Sequence, residues 1–191
     1  MAILVFGLIL FLGIHSVQIA CPGVRSRTIS KVGSVGIWKL IYTGIALIGL
    51  SLIVIGYGLA RHSAPVLYSP PVPLRHIALV VMLPVFPLLF AAYVKGRITQ
   101  ALGHPMLIAT ILWACAHLMA NGSVADLLLF GSVLVWAVFD WRSLVRRSST
   151  KAPRQILSWG RNDAIALVAG VLVYVIFIGG LHARWFGASP V

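Results

Sequence analysis

Glutamate is absent from the sequence, acidic residues are confined to Asp126, Asp140 and Asp163, and charged residues of both signs make up 9% of the 191 positions. Soluble domains carry roughly 25% charge, so the polar shell that would hold this chain in water is missing. Cysteine is scarce as well. Cys21 and Cys115 sit in dissimilar settings and form no disulfide framework, and no clustered Cys and His spacing marks a closed zinc site. The chain has no glycine-rich phosphate loop with its lysine, no nucleophile elbow and no convincing internal repeat of the kind that marks inverted-repeat transporters.

Apolar residues fill the space: 60% of the chain is hydrophobic and the mean hydropathy is +1.02. Continuous runs of about 20 residues match the hydrocarbon thickness of a bilayer, where only helices and closed barrels satisfy their own backbone groups. The runs do not alternate, which selects helices over a barrel. The sequence predicts an all-α polytopic transmembrane bundle in one domain over residues 1–191. Its six spans fall near residues 2–20, 37–60, 76–94, 105–121, 124–141 and 164–183. The first run ends Gln18-Ile19-Ala20-Cys21, which has the look of a lipoprotein signal. No positive n-region precedes it and further spans follow, so it reads as a retained first span.

Fifteen Lys and Arg give a formal net charge of +12. No nucleic-acid motif accompanies them, and their place between apolar runs points to membrane topology and anionic lipid headgroups instead. With both termini outside, the cytoplasmic set is Arg25, Arg27, Lys31, Lys39, Lys95, Arg97, Arg142, Arg146, Arg147, Lys151, Arg154 and Arg161. Only Arg61, Arg75 and Arg184 remain outside, the bias that positive-inside orientation requires. Trp38, Tyr93, Trp141 and Trp159 then fall near the inner interface and Trp185 near the outer one. The expected location is a bacterial inner (cytoplasmic) membrane, with the N-terminus and C-terminus on the periplasmic side.

The connections differ in kind. Residues 61–75 hold Pro65, Pro70, Pro71 and Pro73 and predict an extended, non-helical stretch. Residues 142–163 form the longest and most basic loop, with Ile156, Leu157 and Trp159 able to dip into the interface. Asn121-Gly122-Ser123 predicts a tight turn in which Ser123 caps the next helix and Asp126 sits beside its positive end, a capping role. Pro84 and Pro87 remove backbone donors in mid-span, so that helix is expected to kink and to be repaired by neighbours.

Ionisable groups inside the membrane are functional candidates, because burying them costs energy unless they bind or bond something. By position, His62, His76 and His182 fall at the outer surface and His104 at the inner one; only His15 and His117 lie well inside spans. At about 1.5 Å per residue, His15 lies roughly 20 Å and His117 roughly 12 Å from the outer boundary, an axial offset of about 8 Å. Both would reach one iron or one substrate if spans one and four were neighbours. Thr110, Trp113, His117 and Asn121 share a helical face, whereas Cys115 points nearly opposite. Around His15, the face holds Phe11, Leu12, Gln18 and Ile19. Such walls suit a flat apolar cofactor held by imidazole or a lipidic substrate. The plain alternative is that each histidine only hydrogen-bonds across helices. An outer metal site of His62, His76 and His182 is a further option.

The chain resembles the NnrU family at these same residues. The matching stretches are Gly13-Ile14-His15-Ser16, Tyr57-Gly58-Leu59-Ala60-Arg61, Arg75-His76, Gly103-His104-Pro105-Met106-Leu107 and Leu112-Trp113-Ala114-Cys115-Ala116-His117-Leu118-Met119-Ala120-Asn121-Gly122. The resemblance covers about residues 1–147 and is most specific from His104 to Gly122. It implies an association with denitrification and nitric-oxide metabolism for bacterial members, and a relation to 15-cis-zeta-carotene isomerase, a membrane enzyme that binds haem b through histidine. Carried onto this chain, the isomerase's ligand-bearing segments correspond to His15 and His117. The implied cofactor is haem b, with Trp113, Thr110 and Asn121 beside it. The isomerase has a cysteine directly after the tryptophan, where this chain has Ala114.

Function then divides into a haem protein of redox, denitrification or nitric-oxide metabolism, an isomerase of a lipidic polyene, and a non-catalytic assembly or transport factor. A membrane methyltransferase is a further class, since His104-Pro105 is similar to the Arg-His-Pro stretch of isoprenylcysteine-type enzymes. Gly103 in place of the arginine and the missing glutamate both count against it.

Overall fold

The computed structural model describes residues 1–148 and 158–190. Lys151, Arg154, Ile156 and Leu157, and the side chains of Gln18 and Arg147, lie outside the described residues. Regular structure among the described residues is helical throughout. The chain forms two compact units, Met1–Leu67 with Ser123–Trp136, and Tyr68–Gly122 with Ala137–Val191.

In the first unit, α1 (Ala2–Ala20) packs along α3 (Val35–Ala60). Glycine makes that contact possible. A Cβ on Gly56 would collide with the Leu4 nitrogen, one on Gly49 would lie 2.8 Å from the Phe11 nitrogen, and one on Gly7 2.7 Å from the Ile53 nitrogen. The two backbones therefore touch at three levels, the close approach by which small residues drive helix association in lipid. Leu4 fills the interface and is fully buried. Between these helices lies α2 (Pro22–Val32), which begins on Pro22 and ends at Gly33 in the left-handed conformation (φ 69°). Hydropathy alone makes this stretch a connection between spans. The fold makes it a short helix carrying Arg25, Arg27 and Lys31. Ser34 then caps α3, its hydroxyl accepting from the Gly36 N–H at 3.1 Å.

The same unit receives the start of the helix after Gly122. Its opening turn α8 (Val124–Asp126) leads through a widened π turn (Leu127–Gly131) into α9 (Ser132–Ser148). The expected cap is present: the Ser123 hydroxyl accepts from the Asp126 N–H at 3.2 Å, and the Asp126 carboxylate accepts from the Ser123 N–H at 2.8 Å. Asp126 does more than cap. Its second oxygen accepts from the Tyr57 hydroxyl at 2.6 Å, which ties the cap to α3.

In the second unit, α4 (Val72–Met82) and α5 (Val85–Tyr93) form one kinked span. Pro84 offers no N–H to the Val80 carbonyl, so the Leu83 N–H turns to Val80 at 3.2 Å and the Leu79 carbonyl loses its usual partner. The Tyr174 hydroxyl, from α10 (Arg161–Ile176), donates to Leu79 at 2.8 Å. This is the repair that the prolines demand in a medium without water. Gly170 on α10 lets Pro87 approach, since a Cβ there would collide with the Pro87 nitrogen. After α6 (Arg97–Leu102), Gly103 at φ 71° turns the chain into α7 (Pro105–Ala120), which packs on both α4 and α5 around Val85, Leu88 and Ala109.

Two further contacts fasten helix ends in this unit. Asp163, at the start of α10, accepts from the N–H groups of Ile98 at 2.9 Å and Arg97 at 3.2 Å, and from its own helix at Gly160 (3.2 Å). One carboxylate thus satisfies the orphan donors of two helix N-termini. At the other end of α7, the Tyr68 hydroxyl donates to the carbonyls of Leu118 and Asn121, and the Tyr68 N–H to Gly122 at 3.2 Å. Residues 67–71 of the proline-bearing stretch are non-helical, as expected, whereas Val72–Arg75, with Pro73, already form the first turn of α4, where a proline's missing N–H costs nothing.

Among the described residues, four helical stretches are long and apolar enough to cross a membrane: Val35–Ala60, Val72–Tyr93, Val124–Arg146 and Arg161–Phe186. Two shorter apolar helices, Ala2–Val17 and Pro105–Ala120, accompany them. Their outward surfaces are apolar. Leu59, Val80 and Val168 are 63%, 70% and 60% exposed, a surface that water does not favour and lipid does.

Candidate functional site

The two histidines singled out by depth fall in different units, and each is oriented in the same way. His15 Nδ1–H donates to the Phe11 carbonyl at 2.6 Å, one helical turn back along α1. His117 Nδ1–H donates to the Trp113 carbonyl at 2.9 Å along α7. A carbonyl only accepts, so Nδ1 carries a proton in both rings. Imidazoles that bind metals are commonly fixed through the other ring nitrogen in this manner.

Around His15, in the first unit, the rings of Phe11, Tyr42 and Trp136 lie with centroids 4.3, 5.4 and 5.8 Å away. Of these, only Phe11 shares its helix face in the sequence. The Trp136 indole N–H is buried and has no acceptor among the described residues. Such an orphan needs an acceptor from outside the described protein.

Around His117, in the second unit, there is a cavity of about 310 Å³. Its lining includes Arg75, Met82, Phe86, Asn121, Tyr174 and Phe177. The volume lies at the lower end of the range for small-molecule sites. Trp113 packs on His117 with ring centroids 4.9 Å apart, and the Asn121 amide donates to the His117 carbonyl at 2.9 Å. Thr110 bonds back to the Met106 carbonyl at 2.9 Å and takes no part in the lining. Cys115 is half-buried and also off the lining, in line with its helical phase.

Position along the chain puts His182 at the outer end of the last span and does not bring it to His117. The last helix continues through a widened turn (Phe177–Leu181) into α11 (His182–Phe186). Gly180 breaks that turn at φ 132°, a conformation that side chains disfavour, and so re-aims α11. His182 lines the same cavity as His117, with ring centroids 6.3 Å apart. Its Nδ1–H donates to the Ala188 carbonyl at 2.7 Å. The only advance signal is the Gly179-Gly180 pair shortly before it.

The outer metal site of His62, His76 and His182 is not formed. Among the described residues no group of three or more His, Cys, Asp or Glu side chains comes together to hold a metal ion. His62 belongs to the first unit, and His182 turns toward His117 instead.

Comparison with known families matches residues 3–190 to the family described as NnrU protein. The chain belongs to the NnrU family. The match extends beyond the region of resemblance seen in the sequence and takes in the last helix with His182. Comparisons with curated proteins and with solved structures gave no match. In this NnrU protein the His117 cavity gathers the groups with chemical potential. Imidazole, apolar and aromatic walls and one arginine are the kinds of group that could hold a haem: a nitrogen for its iron, a surface for its macrocycle and a cation for its carboxylates.

Proposed function

We propose that this NnrU protein is an integral membrane protein that binds haem b at the cavity of its second unit, with His117 as an axial ligand. The observation that carries this reading is the orientation of His117. Its proton is committed to the Trp113 carbonyl, and its ring lines an apolar cavity. Haem bound there would supply one-electron chemistry and a position for small diatomic ligands. The chain's own residues hold the ring through its Nδ1–H, offer Met82, Phe86 and Phe177 to the macrocycle, and present Arg75 to an anionic edge. His15, the other ligand implied by the resemblance, is oriented identically within its own unit. Service in redox, denitrification or nitric-oxide metabolism accords with the family resemblance.

Six crossings are part of this proposal. Counting the two shorter apolar helices with the four long ones gives an even number and places both termini on one side. Arg25, Arg27 and Lys31 on α2, Lys95 and Arg97 at the start of α6, and Arg142 and Arg146 at the end of α9 then share the cytoplasmic side. The termini are periplasmic, the membrane is the bacterial inner one, and anionic lipids meet the basic face.

A second reading, isomerisation of a lipidic polyene, is favoured by the same apolar walls. Ala114 is fully buried where the isomerase has its cysteine, and no thiol belongs to the lining, so ligand exchange through sulfur has no residue here. Haem content decides whether either reading stands. Pyridine haemochrome assay of protein expressed with ample haem should give about one haem b per chain. Purified protein free of haem, and unable to take it up, would leave the non-catalytic assembly or transport role.

A further inference from the structure

We propose that a polar pocket at one end of the second unit binds the phosphate headgroup of an anionic membrane lipid. The site is independent of haem and rests only on residence in a membrane. It lies at the ends of two stretches apolar enough to span: Val72–Tyr93 stops just before it, and Arg161–Phe186 starts within it. Its volume is about 270 Å³, and no apolar side chain belongs to its lining among the described residues. Lys95, Arg97 and Arg161 supply three cations, Ser158 and Asn162 are neutral, and Asp163 is the one carboxylate.

Asp163 does not cancel these cations. It is outnumbered, and its oxygens accept from the N–H groups of Arg97, Ile98 and Gly160. Gly96 admits that clamp, since a Cβ there would lie 2.5 Å from a carboxylate oxygen. The Asn162 amide adds a second tie, donating to the Lys95 carbonyl at 3.0 Å. The segments that carry Lys95, Arg97 and Arg161 are thus held together in advance, which lowers the entropy cost of ordering them around one anion. The Arg97 guanidinium lies over the Trp159 ring, 5.6 Å from its centroid. Stacking uses the face of a guanidinium and leaves its in-plane N–H groups to donate to phosphate oxygens. A lipid headgroup and a free phosphate share this chemistry, and the surroundings favour the lipid. Trp159 is 61% exposed and Tyr93 is exposed as well, aromatic rings of the kind that sit at headgroup level. Ile165 and Val168, one and two turns into α10, expose an apolar surface along which acyl chains can run. Basic pockets between helices are where anionic headgroups dock.

The experiment titrates phosphatidylglycerol into the full-length protein in a neutral detergent and counts bound lipid by native mass spectrometry. Wild type should bind phosphatidylglycerol more tightly than zwitterionic phosphatidylcholine. Arg97→Gln combined with Arg161→Gln should weaken that binding at least about tenfold, through the loss of charge-assisted hydrogen bonds. Lys95→Gln and Arg161→Gln alone should each weaken it by a smaller factor, so the test stands if the double variant is unstable. Arg25→Gln combined with Arg27→Gln is the control. These residues are exposed on α2 in the first unit and do not line the pocket, and their loss should change binding by less than about twofold. Equal loss from both double variants, or equal binding of the two lipids, overturns the pocket as a headgroup site. Inorganic phosphate or glycerol 3-phosphate that binds as tightly as the lipid and displaces it reassigns the pocket to a soluble phosphate and overturns the lipid. Haem content should be the same in these variants as in wild type, so this inference and the haem reading fail separately.

Discussion

At Gly56 one methyl group is enough to separate two helices, since a Cβ there would collide with the backbone of Leu4. Backbone cannot rotate away as a side chain can. Gly56→Leu should therefore part α1 from α3 and lower the thermal midpoint in detergent by the equivalent of at least about 1–3 kcal/mol. Gly58→Leu, where nothing lies within 4 Å, should be close to neutral. Tyr174→Phe isolates another single interaction. It removes the hydroxyl that donates to the Leu79 carbonyl at the proline kink, and a buried acceptor left without its donor costs about 1–3 kcal/mol. The check is whether its unfolding midpoint falls while helix content by circular dichroism stays constant. Residues of this kind show what the sequence conveys. His117 stands out because depth and helical phase both hold within an unbroken helix. His182 does not, because position alone places it at a helix end and its approach to His117 depends on the break at Gly180.

Whole elements are legible where the signal is local. The kink at Pro84 and the Ser123–Asp126 cap follow from residues within one turn of each other, and both are present. Their distant partners, Tyr174 for the kink and Tyr57 for the cap, depend on which helices pack together, and no run of one sequence states that. The helix α2 is hidden by its polarity, since hydropathy registers apolar runs and α2 carries three basic residues in eleven. Asp163 is easily overlooked because an acidic residue beside Arg161 reads as surface charge. In the fold it secures the first turns of α6 and α10 together. Asp163→Asn keeps the size but loses one acceptor oxygen. It should release α6, seen as faster hydrogen exchange at the amides of Arg97 and Ile98.

For the molecule as a whole, membrane residence follows from the scarcity of charge and from the apolar outward surfaces of the long helices. Orientation is open to direct mapping. With Cys21 and Cys115 replaced, Ser63→Cys should react with an impermeant thiol reagent added to the periplasmic side. Ser26→Cys should react only after the inner membrane is permeabilised; the reverse pattern would invert the topology. The central proposal is narrower: that iron protoporphyrin binds at the His117 cavity. Its most direct test is the reduced-minus-oxidised optical spectrum of purified wild-type protein beside His117→Ala at equal protein concentration. Haem at this cavity predicts b-type Soret and α bands in wild type and their loss or marked reduction in the variant. Equal bands in both proteins, or none in wild type after reconstitution with haemin, would contradict it.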